Sequence, residues 1–269
     1  MPELPEVETL RRDLSRVVIG KTISHAEFLW AKSLHSSTPK KFNEQIKNQK
    51  IIAVNRRAKI LNFELANNLK IAVHLKMTGQ LIYKPKKGKL IIGGHPSDPT
   101  KHTRIIFHFT DGSELYFNDL RKFGWLKLIP SIDWLKFTAH LGPEPLEKEF
   151  TQHYFSEILA RYPKRKIKQL LLDQTLISGI GNIYADESLF ASKILPSHAA
   201  GKLKEDGKIS LFQNIKKILK LAISKGGTSI RDYRRAGGEH GGFAPYLKVY
   251  DRAGDKCLTC AKMIQKIKQ

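Results

Sequence analysis

The sequence predicts an α+β protein of two domains, and three features predict it. Apolar side chains recur at helical spacing in the first residues, alternate along short segments up to Phe117, and return to helical spacing after Pro145. Short alternating segments joined by tight turns give an antiparallel β-sandwich led by one helix. The later stripes give a helical domain.

The first element is the helix. Pro5 suits a first helical turn, where its missing N–H would be unpaired anyway, and Leu4, Val7, Leu10, Leu14 and Val17 follow on one face. A start methionine before proline is normally trimmed, which leaves Pro2 as a free secondary amine beside Glu3 and Glu6. Such an amine adds to a sugar C1′ or an aldehyde to give an iminium ion, an electron sink that serves both substitution and elimination. An α-amino group ionises near about 7.7–8.0, so a neutral fraction exists at cellular pH. The helix dipole disfavours the ammonium form and the two carboxylates favour it, so the net direction stays open. Read alone, Pro-Glu-Val-Glu is also an ordinary helix start.

Strands come next. Leu61, Phe63 and Leu65 share one face, and after the Asn67-Asn68 turn so do Leu69, Ile71, Val73 and Leu75; Ile105, Phe107 and Phe109 lead through Asp111-Gly112 to Leu115 and Phe117. The polar stretch from Lys84 to Thr103 reads as a long loop. Lys59 opens a strand, His74 ends one before Met77 at a glycine-containing turn, and Arg121 and Phe123 flank a lysine at another turn. Each has a plain structural reading. Together, an apolar Met, an Arg and a Phe on loops are the parts that hold a duplex open once a base is extruded.

Residues 131–147 have no clear period and serve as the linker between a domain over 1–130 and a helical domain over 148–245. Phe155, Ile158 and Leu159 form one stripe; Ile167, Leu170 and Leu171 form the next. Two glycines, Gly179 and Gly181, precede Asn182, which reads as a helix N-cap; exposed backbone N–H groups there make an anion site. A further amphipathic helix runs through Ile209, Phe212, Ile215, Leu219 and Ala222. The glycine-rich segment 226–242 then reads as disordered or as a lid.

PELPEVETLRR at the start and GIGNIYADE at 179–187 resemble the formamidopyrimidine-DNA glycosylases, which excise oxidised purines such as 8-oxoguanine. Leu4 stands where the sister endonuclease VIII group typically has Gly, and a ribosomal protein family shares the second motif. The resemblance implies a bifunctional glycosylase and abasic-site lyase in base excision repair. In it Pro2 is the nucleophile, Glu3 the acid/base and Glu6 its support. Lys59 belongs with this catalytic set and, like His74, matches a residue that holds backbone phosphates. It also implies that Met77, Arg121 and Phe123 fill the duplex, that Asn182 binds phosphate in a helix–two-turns–helix motif, and that 226–242 covers the extruded base. The family carries a structural zinc on four cysteines. Here 246–269 holds one pair, Cys257 and Cys260, and no second, so half of the site is present and no stable zinc is expected. No metal is expected in the chemistry.

Composition agrees with that partner. Among 269 residues, 47 Lys and Arg outnumber 25 acids, a formal charge of +22 that favours duplex DNA or another polyanion. Neither a membrane-spanning run nor a signal-peptide core is seen, and two cysteines give no disulfide scaffold. The expectation is therefore a cytoplasmic, nucleoid-associated bacterial enzyme, monomeric, with no membrane partner. Two alternatives stand beside it: an endonuclease VIII type enzyme for oxidised pyrimidines, and a non-catalytic nucleic-acid binder.

Overall fold

The computed structural model describes residues 1–35, 37–87, 99–230 and 232–267. Helix α1 (Leu4–Val18) forms where the apolar spacing placed it and buries Leu4, Val7, Leu10 and Leu14; at its last turn Val18 is the buried residue and the expected Val17 is only partly buried. Its start is fixed by two reciprocal bonds: the Glu3 side chain accepts from the Glu6 N–H, and the Glu6 side chain accepts from the Glu3 N–H.

Strands β1 (Ile23–Phe28) and β2 (Leu34–His35), helix α2 (Pro39–Ile46) and strand β3 (Ile51–Arg57) follow. Then come β4 (Ile60–Leu65), β5 (Leu69–His74), β6 (Gly79–Lys84), β7 (Thr103–Phe109), β8 (Glu114–Asp119) and β9 (Trp125–Pro130). Among the described residues they build two sheets, ordered β1-β7-β8-β6 and β2-β9-β5-β4-β3. Leu61, Phe63, Ile71 and Val73 of one sheet and Leu81, Ile105, Phe107 and Phe117 of the other meet in one core with α1. This is the predicted sandwich. The predicted turns hold as well, with Asn68 at φ 60° and Gly112 at φ 84°. Most of the predicted Lys84–Thr103 loop lies outside the described residues.

Register brings the chemistry-bearing turns to one end. Ile60 pairs with His74, and His74 with Trp125. Gly79 pairs with Asp119 in the other sheet. The residues just beyond those pairs are Lys59, the 75–78 turn and the 120–124 turn.

Residues 131–139 include a short 3-10 turn and helix α3 (Trp134–Thr138), and the chain then divides into two compact units. One holds 1–139 together with 225–242; the other holds 140–224 and 243–269. In the first, Tyr233 and Ala236 join the sandwich core, so the glycine-rich segment is packed over part of its length. The second contains α4 (Gln152–Arg161), α5 (Ile167–Leu172), α6 (Asn182–Ala191) and α7 (Glu205–Ser224). Phe155, Ile158 and Leu159 of α4, Leu170 and Leu171 of α5, Tyr184 and Leu189 of α6, and Leu211, Ile215 and Leu219 of α7 are buried. Among the described residues no helix is long and apolar enough to cross a membrane.

Candidate active site

Pro2, Glu3 and Glu6 are buried together at the start of α1, Glu3 at 2% and Glu6 at 1% exposure. Burying two carboxylates requires donors for their oxygens. Glu6 Oε2 accepts the Glu3 N–H at 2.7 Å, and Glu6 Oε1 accepts the Thr228 N–H at 2.8 Å. The Tyr233 hydroxyl donates to the Glu6 carbonyl at 3.2 Å. Burial, with Glu6 and Asp13 nearby, raises the Tyr233 hydroxyl well above its ordinary range, so it stays a donor. Met1 is half exposed and its carbonyl still caps the Pro2 nitrogen as an amide. The amine exists only once Met1 is removed.

Lys59 is buried beside these acids. Burial lowers its ammonium, while the charges of Glu3 and Glu6 work in the opposite direction. Its backbone is set by the residue before it. Ala58 sits at φ 52°, in the left-handed region, and its carbonyl accepts from Arg56 Nη1 at 2.9 Å. Arg56 Nε in turn reaches Glu8 Oε2 at 3.1 Å, where Arg11 and Arg12 also bind. Burial opposes ionisation of Glu8, yet the three arginines hold its carboxyl down to about 2.

His74 presents a fixed tautomer. Its Nδ1 accepts the Lys76 N–H at 2.9 Å, which leaves the ring proton on Nε2 as a donor. Burial first, then the positive charges of Lys76 and Lys59, push the ring down to about 3, so it is neutral at cellular pH. Trp125 packs against it with ring centres 5.6 Å apart.

Met77, Arg121 and Phe123 come from two different turns and meet at the surface. Met77 is 42% and Phe123 55% exposed. The Arg121 guanidinium lies 4.9 Å from the Phe123 ring centre and its Nη1 contacts the Met77 sulfur. Exposed apolar side chains around a cation are poor candidates for core and good ones for insertion into a base stack.

The remaining predicted residues lie in the second unit. Asn182 is exposed at the first turn of α6, but the N-cap is Gly181, with φ −130° and ψ −163°, so the expected capping role moves one residue back. The backbone reaches that extended cap from Gly179, at φ 97°, whose N–H is held by Gln174 at 2.9 Å. Cys257 and Cys260 are unbridged. The N–H groups of Thr259 and Cys260 bond to the Cys257 sulfur and hold its thiol below the ordinary value. Two thiols supply half of a tetrahedral set, and among the described residues no group of three or more His, Cys, Asp or Glu is placed to hold a metal. The residues present do not fit a structural zinc.

Sequence reasoning passed over Thr228 and Tyr233, which bind Glu6, and Asp119, which organises the second turn. Thr228 and Tyr233 are far away in the chain and carry no motif of their own. Asp119 lies two residues before Arg121, and its spacing alone does not distinguish it from an ordinary strand-end carboxylate.

Comparison with known proteins adds to this geometry. Residues 1–126 match the formamidopyrimidine-DNA glycosylase N-terminal domain, and residues 141–234 match the formamidopyrimidine-DNA glycosylase H2TH domain. A formamidopyrimidine-DNA glycosylase of Lactiplantibacillus plantarum is 41% identical over 270 residues, covering 100% of this chain and 94% of the relative. One of Carboxydothermus hydrogenoformans is 42% identical over 265 residues, covering 98% and 93%. Among solved structures, Lactococcus lactis Fpg in complex with abasic-site DNA superposes with a TM-score of 0.90 at 34% identity, covering 99% of this chain and 94% of that one. The same enzyme with DNA containing N7-benzyl-Fapy-dG gives 0.89 at 34% identity, covering 100% and 95%.

Proposed function

The chain belongs to the formamidopyrimidine-DNA glycosylase family, and from that premise we propose that it excises formamidopyrimidines and 8-oxoguanine from duplex DNA and then cuts the strand through an iminium ion on Pro2. The observation that carries this is the buried acid pair at the second and fifth positions after the start methionine, Glu3 and Glu6, locked to each other by reciprocal bonds directly after a buried Pro2, with Lys59 beside them. A protein that only binds DNA has no use for two buried carboxylates at a chain terminus, because their burial is costly.

Once Met1 is removed, the Pro2 amine attacks C1′ of the extruded nucleotide. The bond from C1′ to the base breaks, the base leaves with a proton, and the ring C1′–O4′ bond opens to give the iminium. Glu3 protonates O4′ in that opening. Loss of a C2′ proton then expels the 3′ phosphate, and a second elimination expels the 5′ phosphate; hydrolysis of the iminium frees Pro2. Glu6 holds Glu3 and the 227–228 backbone in register, as its two oxygens already do. Lys59 and the Nε2–H of His74 hold phosphates near the lesion, Asn182 holds another, and Met77, Arg121 and Phe123 fill the gap left by the extruded base. No step uses a metal. The enzyme acts as a monomer at the nucleoid, in keeping with the bacterial relatives named above.

Borohydride trapping on a duplex with 8-oxoguanine opposite cytosine tests it. The protein whose N-terminus is confirmed as Pro2 forms a covalent adduct, while Pro2→Gly loses most of it and a form retaining Met1 loses all. An adduct that survives retention of Met1 sinks the amine mechanism.

A further inference from the structure

The two turns that carry Met77, Arg121 and Phe123 are tied together by a single carboxylate. Asp119, the last residue of β8, is 1% exposed. Its Oδ1 accepts the Thr78 hydroxyl and the Arg121 N–H, the latter at 3.2 Å, and its Oδ2 accepts the Gly124 N–H at 2.6 Å. Its backbone is held as well: the N–H donates to the His102 carbonyl at 2.8 Å, and the carbonyl accepts Arg104 Nε at 2.8 Å.

Thr78, adjacent to Met77, closes the arrangement because its hydroxyl oxygen also accepts the Arg121 N–H at 3.0 Å. One side chain thus reaches the residue after Met77, the backbone of Arg121 and the residue after Phe123. Between the last two, Lys122 stands at φ 60°, in the left-handed region that is strained for a residue with a Cβ. The bonds on both sides hold it there. Gly124 lets the backbone come this close, since a Cβ would fall 2.6 Å from the Phe117 ring and 3.1 Å from Asp119 Oδ2.

We propose that Asp119 is a positioning residue that presets Met77, Arg121 and Phe123 in their insertion geometry before DNA is bound. It touches no substrate. Its value lies in ordering two turns during folding, so that the entropy of ordering them is not charged to the extrusion step. The inference rests on reading those three side chains as the ones that enter the duplex.

The test compares wild type with Asp119→Asn and Thr78→Val on two substrates. The first is a duplex with 8-oxoguanine and a neighbouring 2-aminopurine, whose fluorescence reports opening of the stack in a single turnover. The second is a single strand with a preformed abasic site, trapped with borohydride, where no stack has to be opened. Asn at 119 keeps one acceptor and turns an N–H₂ group toward a donor. Extrusion and excision on the duplex should slow about 10- to 100-fold, the scale of losing hydrogen bonds to a buried charge. Trapping on the single strand should stay within about twofold, since the Pro2 chemistry is untouched. Thr78→Val keeps the carboxylate and removes only the bridging hydroxyl, so it should slow the duplex steps by a smaller factor of about 3- to 10-fold. It decides the matter if Asp119→Asn does not fold.

Equal losses on both substrates would show a merely structural role, and a Thr78→Val enzyme at the wild-type duplex rate would also overturn the proposal. Failure of the underlying reading looks different: wild type itself would give no 2-aminopurine signal on the duplex, or would form no adduct on either substrate.

Discussion

His74 enters the site as a neutral hydrogen-bond donor, because Lys76 occupies its Nδ1 and its ring is pushed from 6.5 down to about 3. The sign of the stability effect follows. Between those two values the unfolded chain holds more protons than the folded one, so this residue's contribution is complete above the unfolded value and is lost as pH falls toward the folded one. His74→Gln has no ring to protonate. Its melting temperature should therefore fall less than that of wild type between about pH 7 and about pH 4.5. Equal falls would mean that His74 is free to titrate and that its Nε2–H is no fixed donor. The position of His74 at a strand end was legible from alternation, and so was the turn after it. Its tautomer was not, since that depends on a backbone N–H two residues later. Lys59 was legible only as a strand-opening lysine; its burial against Glu3 and Glu6 comes from strand pairing that no local pattern encodes.

The start of α1 does two jobs with one motif. Acids in a first helical turn were readable as helix chemistry, and the reciprocal Glu3 and Glu6 bonds are that chemistry. The second oxygen of Glu6 goes elsewhere, to Thr228, after two glycines in the left-handed region: Gly226 at φ 76° and Gly227 at φ 79°. These glycines separate conformational from contact effects. A Cβ on Gly227 would meet Glu6 Oε1 at 3.0 Å, whereas one on Gly226 would meet the flexible Arg235 side chain at an ordinary 3.5 Å. Gly226→Ala and Gly227→Ala should each lose about 1–2 kcal/mol of stability, since both force a side chain into the same strained backbone. Only Gly227→Ala presses on Glu6. It should slow borohydride trapping about tenfold or more while Gly226→Ala stays near wild type, a factor equal to about 1.4 kcal/mol in the barrier. Equal trapping rates in the two variants would show that the 227–228 turn does not position Glu6.

At the scale of the whole molecule, hydrophobic period distinguished a β half from an α half, but it could not show that 225–242 leaves the helical unit and packs with the sandwich. That segment is held by single contacts, such as the Arg235 guanidinium on Asp13 at 2.8 and 2.9 Å and the Tyr83 N–H on the Ala236 carbonyl at 2.9 Å. Contacts of that kind have no period. Net charge was legible and points to a polyanionic partner, but it does not say where each cation sits: Arg11, Arg12 and Arg56 share the one carboxylate of Glu8, and Arg165 and Lys168 are paired with Asp173 and Asp186. The excess of +22 therefore does not count phosphate contacts. Salt dependence does count them, because each phosphate neutralised by a cation releases counterions and steepens the fall of log K with log salt by about 0.9. An amide side chain that holds a phosphate neutralises nothing. Asn182→Ala should thus weaken binding to a duplex with an abasic-site analogue by about 1 kcal/mol and leave the slope unchanged. Lys59→Met, if the ammonium grips a phosphate as proposed, should weaken binding and reduce the slope by about 1. Fluorescence anisotropy between about 50 and 200 mM salt separates the two. A Lys59→Met protein with the wild-type slope would mean that the buried ammonium serves only Glu3 and Glu6, and its role would then lie in proton transfer instead of DNA grip.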